Sequence, residues 1–419
     1  MQSRILIALS AMLVGSYAVL AADDSPILEQ RIGDLERQIK ELEAAKSALP
    51  ARSNRSAFNP AVSLILNGTA AGFSQPTNGY ALPGFALAEG TEPGREGLSL
   101  GESELVISAN VDDWFYGRLA AALTPQNEVE IEEAYVETTA LGAGFNVRGG
   151  RFYSNIGYLN SQHPHAWDFV DTALIYRAML GNQYGDDGLQ LRWVAPLDLF
   201  LEVGAELFRG ESFPAGGAAS NGKGSQAYFA HVGGDVGAGH AWRAGVSYLR
   251  AEAIDRETGN ESNPDIFNGT SRLTGIDFVW KWAPGGNPKQ TNFKFQTEYF
   301  WQDQDGSFEP SSNGSPLPYQ SKQRGWYAQA VYQFVPRWRA GLRYDWLHAD
   351  NVDAALAGTV LDNQGHTPTR TSVMVDYSHS EFSRLRVQYN RDESHATATD
   401  NQWFLQYVMS LGAHGAHRF

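Results

Sequence analysis

Residues 401–419 read NQWFLQYVMSLGAHGAHRF, and this stretch decides the fold. Every second position from Trp403 to Ala413 carries an apolar side chain, whereas the positions between them are mixed. Because side chains alternate between the two faces of a β-strand, the pattern predicts a strand with one wholly apolar face. Such a strand suits a wall that meets lipid on one side and water on the other. An amphipathic strand at the end of a soluble β-protein has the same pattern, so the rest of the chain must decide.

The composition is consistent with a membrane-spanning barrel. The chain contains 43 Gly, 18 Tyr and 11 Trp, which suits tight turns and aromatic belts at the membrane interfaces. It contains no Cys, which excludes a lipoprotein anchor, disulfides and Cys-based zinc sites. The formal net charge of −15 argues against nucleic acid as a partner. Beyond residue 22 no apolar run is long enough for a helical membrane span.

Three segments precede the predicted barrel. Residues 1–21 predict a secretory signal peptide, because Arg4 is followed by an apolar core and by small residues near Ala21; an uncleaved membrane anchor is the alternative. Residues 25–49 carry Leu and Ile at heptad spacing with charged residues between them, and predict a periplasmic coiled coil. A single amphipathic helix against the barrel mouth is the alternative there. Residues 50–59 are polar and aperiodic, and predict a linker.

Residues 60–419 predict an all-β fold, a transmembrane antiparallel β-barrel of about sixteen strands. Apolar positions rich in Trp, Tyr and Phe alternate with polar positions, for example in 338–346 and 385–389. The predicted connections alternate between short turns and mostly long loops, among them 154–187, 252–270 and 304–321. This sorting is typical of an outer-membrane barrel with both termini in the periplasm.

With these features the chain resembles a Gram-negative outer-membrane porin of the sixteen-stranded class. Phe419, on the apolar parity of the last strand, is similar to the closing-strand signal of such barrels, which implies the barrel-assembly machinery as a partner. The coiled coil is similar to that of some sugar-specific and phosphate-selective porins. The resemblance implies a passive channel for small hydrophilic solutes or ions, a location in the outer membrane among lipid and lipopolysaccharide, and a homo-oligomer such as a homotrimer.

The resemblance also implies that loop 154–187 folds inward and narrows the pore. Within it, 173–180 predicts a short helix. An acidic loop facing basic strands would set a transverse field that selects ions. Arginines on the inward parity also brace loop carboxylates, and this alternative stays open. The candidate constriction residues are Asp168, Asp171, Arg177, Asp186 and Asp187, and the candidate basic wall is Arg337, Arg339, Arg343, Arg384 and Arg386.

His163, His165 and Asp168 lie close together in the sequence and are suitable zinc ligands. Their spacing matches no known signature, so a loop packed by its histidines is the alternative, and zinc is the one candidate cofactor. The competing function is an outer-membrane receptor or substrate-specific uptake protein, for example for zinc, without a plug domain. Catalysis is not expected, because the G-x-S-x-G match at 97–101 begins a predicted strand rather than a strand-to-helix turn.

The acidic run from Glu128 to Glu137 fits a simple barrel strand poorly. Its glutamates occupy both parities, and a carboxylate facing lipid is costly. We therefore expect this strand to be shielded by a loop or a neighbouring subunit, or to lie partly above the bilayer.

Overall fold

The computed structural model describes residues 60–124, 128–220, 222–260, 263–312 and 314–412. The predicted signal peptide, coiled coil and linker, and Phe419, lie outside the described residues and stay predictions. The described part of the chain forms a closed antiparallel β-barrel of sixteen strands, which confirms the predicted fold class.

Each barrel strand pairs with the next one in the chain, and β1 pairs with both β16 and β2. That last pairing closes the wall, so no strand edge faces hydrocarbon, where unpaired backbone groups are not tolerated. The strands are β1 Ala61–Phe73, β2 Gly97–Leu100 continued by Ser103–Asn110, β3 Phe115–Leu123, β4 Val129–Thr138, β5 Phe145–Tyr153, β6 Gly185–Val194, β7 Phe200–Phe208, β8 Ser225–Val236, β9 His240–Asn260, β10 Asn263–Trp282, β11 Asn292–Glu309, β12 Leu317–Val335, β13 Trp338–Ala349, β14 Thr369–Ser380, β15 Ser383–Glu393 and β16 Asp400–Gly412.

The described α-helix is α1, Leu174–Leu180, which confirms the short helix predicted in the third long loop. It ends at Gly181, whose left-handed backbone (φ 59°) is a conformation that glycine adopts without strain. Short 3₁₀ turns occur at Pro164–Ala166, Pro284–Gly286 and Ala354–Leu356, and Gly216–Gly217 makes a two-residue parallel contact with β9. Within the described ranges, no helix has the length and apolar character needed to cross a membrane.

The two faces of β16 separate as its sequence predicts. Trp403, Leu405 and Tyr407 are exposed on the outer face, and Leu405 is 46% exposed. Their neighbours Gln402 and Gln406 are buried on the inner face. The apolar set therefore covers the outside of the barrel, and the polar set points into the lumen.

Two of the predicted long loops are wrong. Residues 252–270 continue the ladder between β9 and β10 up to the pair Asn260 and Asn263, and 304–309 continue β11. The outer face of this extension carries charged residues, including Glu252 and Glu257. Those side chains resemble a loop in sequence, but the backbone goes on pairing in water beyond the apolar band, where charge has no cost.

A β-bulge resolves the acidic run of β4. Ala120 of β3 pairs with Glu133, and Ala121 pairs with Ile131, so Glu132 is the extra residue. A bulge interrupts the alternation of side chains. Both Glu132 and Glu133 therefore lie on the inner side, where their side chains are only 6% and 10% exposed. The expected conflict between these two carboxylates and lipid does not arise.

Arginine at Leu405 should destabilise the barrel if this face meets hydrocarbon. Leu405 lies near the centre of β16, where an arginine on the lipid face costs about 2–4 kcal/mol. Urea unfolding in lipid vesicles measures the difference between Leu405→Arg and the unmodified chain. Val236→Arg, at an exposed strand end, is the control and should cost less than about 1 kcal/mol. Equal losses for the two variants would contradict the placement of the bilayer.

Candidate functional site

Residues 154–184, here called the inward loop, connect β5 to β6 and pack inside the barrel. Their contacts reach inward-facing side chains of strands that are distant in sequence. Asp345 of β13 accepts the backbone N–H of Leu174 at 2.9 Å, and Gln388 of β15 accepts that of Val170 at 2.7 Å. All seven residues of α1 are buried. The loop is therefore held by the wall and not only by its own turns.

Glu298 on β11 is the most heavily used of these wall contacts. Its carboxylate accepts the backbone N–H groups of Tyr158 and Leu159 at 2.9 and 3.1 Å. It also accepts the hydroxyls of Tyr176 and Tyr327 at 2.7 and 2.6 Å. Burying a carboxylate without partners is costly, and these four donors supply them. Sequence reasoning did not single out Glu298, because alternation gives its face but not its partners.

Asp168 and Asp171 bind the basic side of the wall directly. Asp168 contacts Lys294 at 2.9 Å and Arg339 at 3.0 Å. Asp171 contacts Arg343 at 2.8 Å and Arg370 at 2.7 Å. The sequence placed these carboxylates in the loop correctly. The sequence left two roles open for them: a transverse field across an open pore, or direct ion pairs with wall arginines that hold the loop. The contacts are direct ion pairs.

The pKa values of both loop carboxyls follow from this burial and pairing. Burial raises the pKa of Asp168, but Lys294 and Arg339 outweigh it and hold that pKa well below its usual range. Arg343 and Arg370 do the same for the pKa of Asp171. The stability that each carboxylate contributes is therefore fully present above the ordinary Asp pKa, and it is lost only as pH falls through the depressed value.

Four of the five predicted wall arginines face the loop. Arg339 and Arg343 form the ion pairs described above, while Arg384 donates to the His165 carbonyl at 2.6 Å and Arg386 to the Trp167 carbonyl at 2.9 Å. Arg337 was wrongly assigned to the wall. It is exposed in the turn between β12 and β13, where its φ is 74°.

The other three predicted constriction residues have different surroundings. Arg177 of α1 is buried against the Tyr80 ring, 5.2 Å from its centroid. Asp186 and Asp187 belong to β6 and not to the loop, because the ladder with β5 extends to Gly185. Asp186 is buried and accepts the backbone N–H of Gly210 at 2.8 Å. Asp187 lies on the outer parity and pairs with Arg151 at 2.7 Å, so its place in a constriction is wrong.

The inner face of β9–β15 carries a row of basic residues, here called the basic row. Lys281 pairs in register with Lys294, and Arg243 lies two positions from that level on β9. Arg339 and Arg384 continue the row on β13 and β15. The opposite side, on β2 and β4, carries carboxylates on its inner face. The basic row is Arg243, Lys281, Lys294, Arg339 and Arg384, and the acidic side is Glu102, Glu104, Glu132, Glu133 and Glu137.

A cavity of about 850 Å³ lies beneath the inward loop, on the side of the short turns. Its ceiling includes Tyr158, His163 and His165 of the loop. Its lower lining includes Ala61 and Asp235, at the ends of β1 and β8. Other charged residues of the lining include Arg118, Arg148, Arg192, Glu133 and Arg243. The space is large enough for a small solute and is bounded by charges of both signs.

The two predicted histidine ligands come together, but without Asp168. The rings of His163 and His165 stack with centroids 5.7 Å apart. They face Glu104 on β2 and the bulge residues Glu132 and Glu133 on β4. Asp168 is bound to the basic row instead, so its assignment to a metal site is wrong. Glu132 and Glu133 were visible in the sequence only as part of an acidic run of unexplained parity, and Glu104 was not singled out.

The G-x-S-x-G match does not form a nucleophile elbow. Ser99 lies on β2, in register with Thr69 of β1. A nucleophile elbow needs a turn from a strand into a helix at this serine.

No known family model matches the chain. An uncharacterized protein of Aquifex aeolicus (strain VF5) is 30% identical over 344 residues, which are 78% of this chain and 71% of that protein. The trimer form of in-vitro folded OmpT, an outer membrane protein of Vibrio cholerae, matches with a TM-score of 0.54 and 12% identity, over 84% of this chain and 99% of its own. An anion-selective porin from Comamonas acidovorans matches with a TM-score of 0.52 and 10% identity, over 84% and 99%. At these identities the structural matches show a shared fold.

Removing the Asp171 carboxylate should weaken the docking of the inward loop. Asp171→Asn leaves Arg343 and Arg370 with Asp345 as their remaining carboxylate, and breaking such a buried pair costs about 3 kcal/mol. The free energy of unfolding in detergent micelles measures the loss. Asp187→Asn removes the same group from the half-exposed pair with Arg151 and should cost at most about 1 kcal/mol. A loss for Asp171→Asn no larger than that of this control would refute the docking role.

Proposed function

The chain belongs to the family of the uncharacterized Aquifex aeolicus protein and is a barrel of the outer-membrane porin class, and from this premise we propose that it is a passive channel for small hydrophilic solutes or ions. The observation that carries the proposal is the charged cavity of about 850 Å³ inside a closed barrel wall. A lumen serving only to stabilise the fold has no need of a solvent-sized space lined by charges of both signs. The proposal includes no catalytic step.

The inward loop is proposed as the constriction. It touches the acidic side of the barrel through His163 and His165 and the basic side through Asp168 and Asp171. A loop braced on opposite walls narrows the path between them. Its apolar helix also packs against Leu82 and Phe85 of the 74–96 connection, which fills further space. We therefore expect a small conductance.

Charge in the lumen is proposed to set the ion preference. The basic row and the acidic side face each other across the barrel, and such an arrangement produces a transverse field in a narrow pore. Asp168 and Asp171 are neutralised by their own partners. Because the pairs of Asp168 also use the charges of Lys294 and Arg339, the net field depends on the other charged residues of the wall.

A homo-oligomer, such as a trimer, is proposed from the unequal sides of the barrel. Strands β3, β5 and β7 have 9 residues each, whereas β9 has 21 and β10 has 20. The short side exposes apolar residues, including Leu189 at 60% and Leu191 at 51%. A second copy of the chain would cover this surface. We place the barrel in the outer membrane with both termini in the periplasm, on the side of the short turns.

Single-channel recording with a salt gradient tests the channel. The purified chain should open pores of small conductance in a planar bilayer. Lys281→Gln removes one charge of the basic row and should shift the permeability ratio towards cations by roughly two- to threefold, since unit charges several ångströms apart in water interact by roughly 0.5 kcal/mol. The matched variant Asp235→Asn, at the lining of the cavity, should shift it towards anions.

Two results would contradict this proposal. If the folded chain opens no pores, a receptor or substrate-specific uptake protein becomes the better assignment. If pores open but neither variant changes the reversal potential, the solute path does not run along the charged walls.

A further inference from the structure

Three potential ligand atoms converge where the inward loop meets β2 and β4. His163 Nδ1 lies 3.1 Å from Glu104 Oε2 and 3.3 Å from Glu132 Oε2, and the three atoms lie within 4.8 Å of one another. In a tetrahedral zinc site with bonds of about 2.0 Å, neighbouring ligand atoms are about 3.3 Å apart. The two distances from His163 Nδ1 to the carboxylate oxygens already match that separation.

These three atoms have no hydrogen-bond partner, although they are buried. Glu104 is 0% exposed, the Glu132 side chain 6% and His163 9%. Glu104 Oε2 and Glu132 Oε2 accept no hydrogen bond, and a proton on His163 Nδ1 points at neither oxygen in hydrogen-bonding geometry. Two carboxylate oxygens and a ring nitrogen that lack hydrogen bonds and lie this close together are atoms that a shared cation would satisfy, and they are costly to bury without one.

The remaining atoms of these residues are held by neighbours. Nε2 of His163 lies 2.9 Å from Glu133 Oε2 and 3.3 Å from an Arg118 nitrogen. Nε2–H thus donates to Glu133, and a metal ion would bind the lone pair of the other ring nitrogen, Nδ1. His165 donates from Nδ1 to Glu104 Oε1 at 2.7 Å, and Tyr153 donates to Glu132 Oε1 at 3.2 Å. In metal sites, a ligating histidine usually donates its other ring N–H to a carboxylate, and ligating carboxylates accept further hydrogen bonds. These outer contacts fix the orientation of the ligands.

The local charge also favours a cation. Among the described residues, Arg118 pairs with one carboxylate of this cluster, that of Glu133, at 2.7 Å. The carboxylates that face His163 here are Glu104, Glu132 and Glu133. One imidazole nitrogen with carboxylate oxygens suits a divalent transition metal such as zinc, whereas calcium takes six to eight oxygens.

We propose that this cluster binds one divalent transition-metal ion through His163 Nδ1, Glu104 Oε2 and Glu132 Oε2, with a water molecule as the fourth ligand. The ion joins the inward loop to the acidic side of the barrel, where the loop otherwise contacts the wall through His163 and His165. The site is structural, so it does not depend on whether the barrel conducts. The β4 bulge is what makes it possible, because without the extra residue Glu132 and Glu133 would face opposite sides.

Zinc binding by the full folded chain tests the proposal. The protein is purified in detergent, stripped with a chelator, dialysed against zinc chloride and analysed for metal per chain. Unmodified protein should bind one zinc ion at this site, and cobalt in its place should give a visible absorption band of low coordination number. Glu104→Gln and Glu132→Gln should each weaken zinc binding at least tenfold, since even an outer partner contributes about 10–100-fold in affinity.

Glu202→Gln is the matched control. Glu202 is another buried glutamate of the lumen, and its Oε2 lies 2.9 Å from His231 Nδ1. Among the described residues, no second carboxylate lies close enough to this pair to share a metal ion with it. Zinc binding should be unchanged in this variant. Circular dichroism confirms that each variant is folded, and Glu132→Gln decides alone if Glu104→Gln does not fold. The proposal is overturned if the unmodified chain binds no zinc, or if all three variants bind it as the unmodified chain does.

Discussion

The docking of the inward loop depends on polar side chains of the barrel wall acting as its hydrogen-bond partners. A loop inside a barrel cannot leave its amides unpaired, and it has no strand beside it to pair with. Glu298, Asp345 and Gln388 supply acceptors for backbone N–H groups of the loop, from three strands of one side. The same wall supplies cations for the loop carboxylates. The barrel therefore fixes the loop as firmly as a strand ladder fixes a strand, and the shape of the lumen follows from that.

This docking of the inward loop explains why the two sides of the lumen differ in charge. Asp168 pairs with the basic row and Asp171 with Arg343 and Arg370, so the loop faces that side as a nearly neutral surface. On the other side His163 and His165 approach a group of carboxylates that the bulge of β4 turns inward. What remains between them is a charged cavity on the side of the short turns. The proposed channel and the proposed metal site are consequences of one placement of the loop.

Much of the barrel is predictable from local pattern. Alternation over β16 places Leu405 outside and Gln406 inside without reference to any other strand, and the number of strands follows by counting such segments. The ends of the long strands are less predictable, because the backbones of Glu252 and Glu257 pair with β10 while their side chains resemble those of a loop. The role of Glu298 and the inward turn of Glu132 needed the structure. Partners across a lumen and a one-residue bulge leave no periodic signal in the sequence.

The central claim is that the inward loop is held in place by the wall, and hydrogen–deuterium exchange of the folded chain in detergent tests it most directly. The account predicts that peptides covering Tyr158, Leu159 and Leu174 exchange slowly, at rates near those of strands β11–β13, because Glu298 and Asp345 hold their amides. The exposed turn around Pro284–Gly286 should exchange fast and serves as the internal reference. Exchange of the loop peptides as fast as that turn would contradict the account.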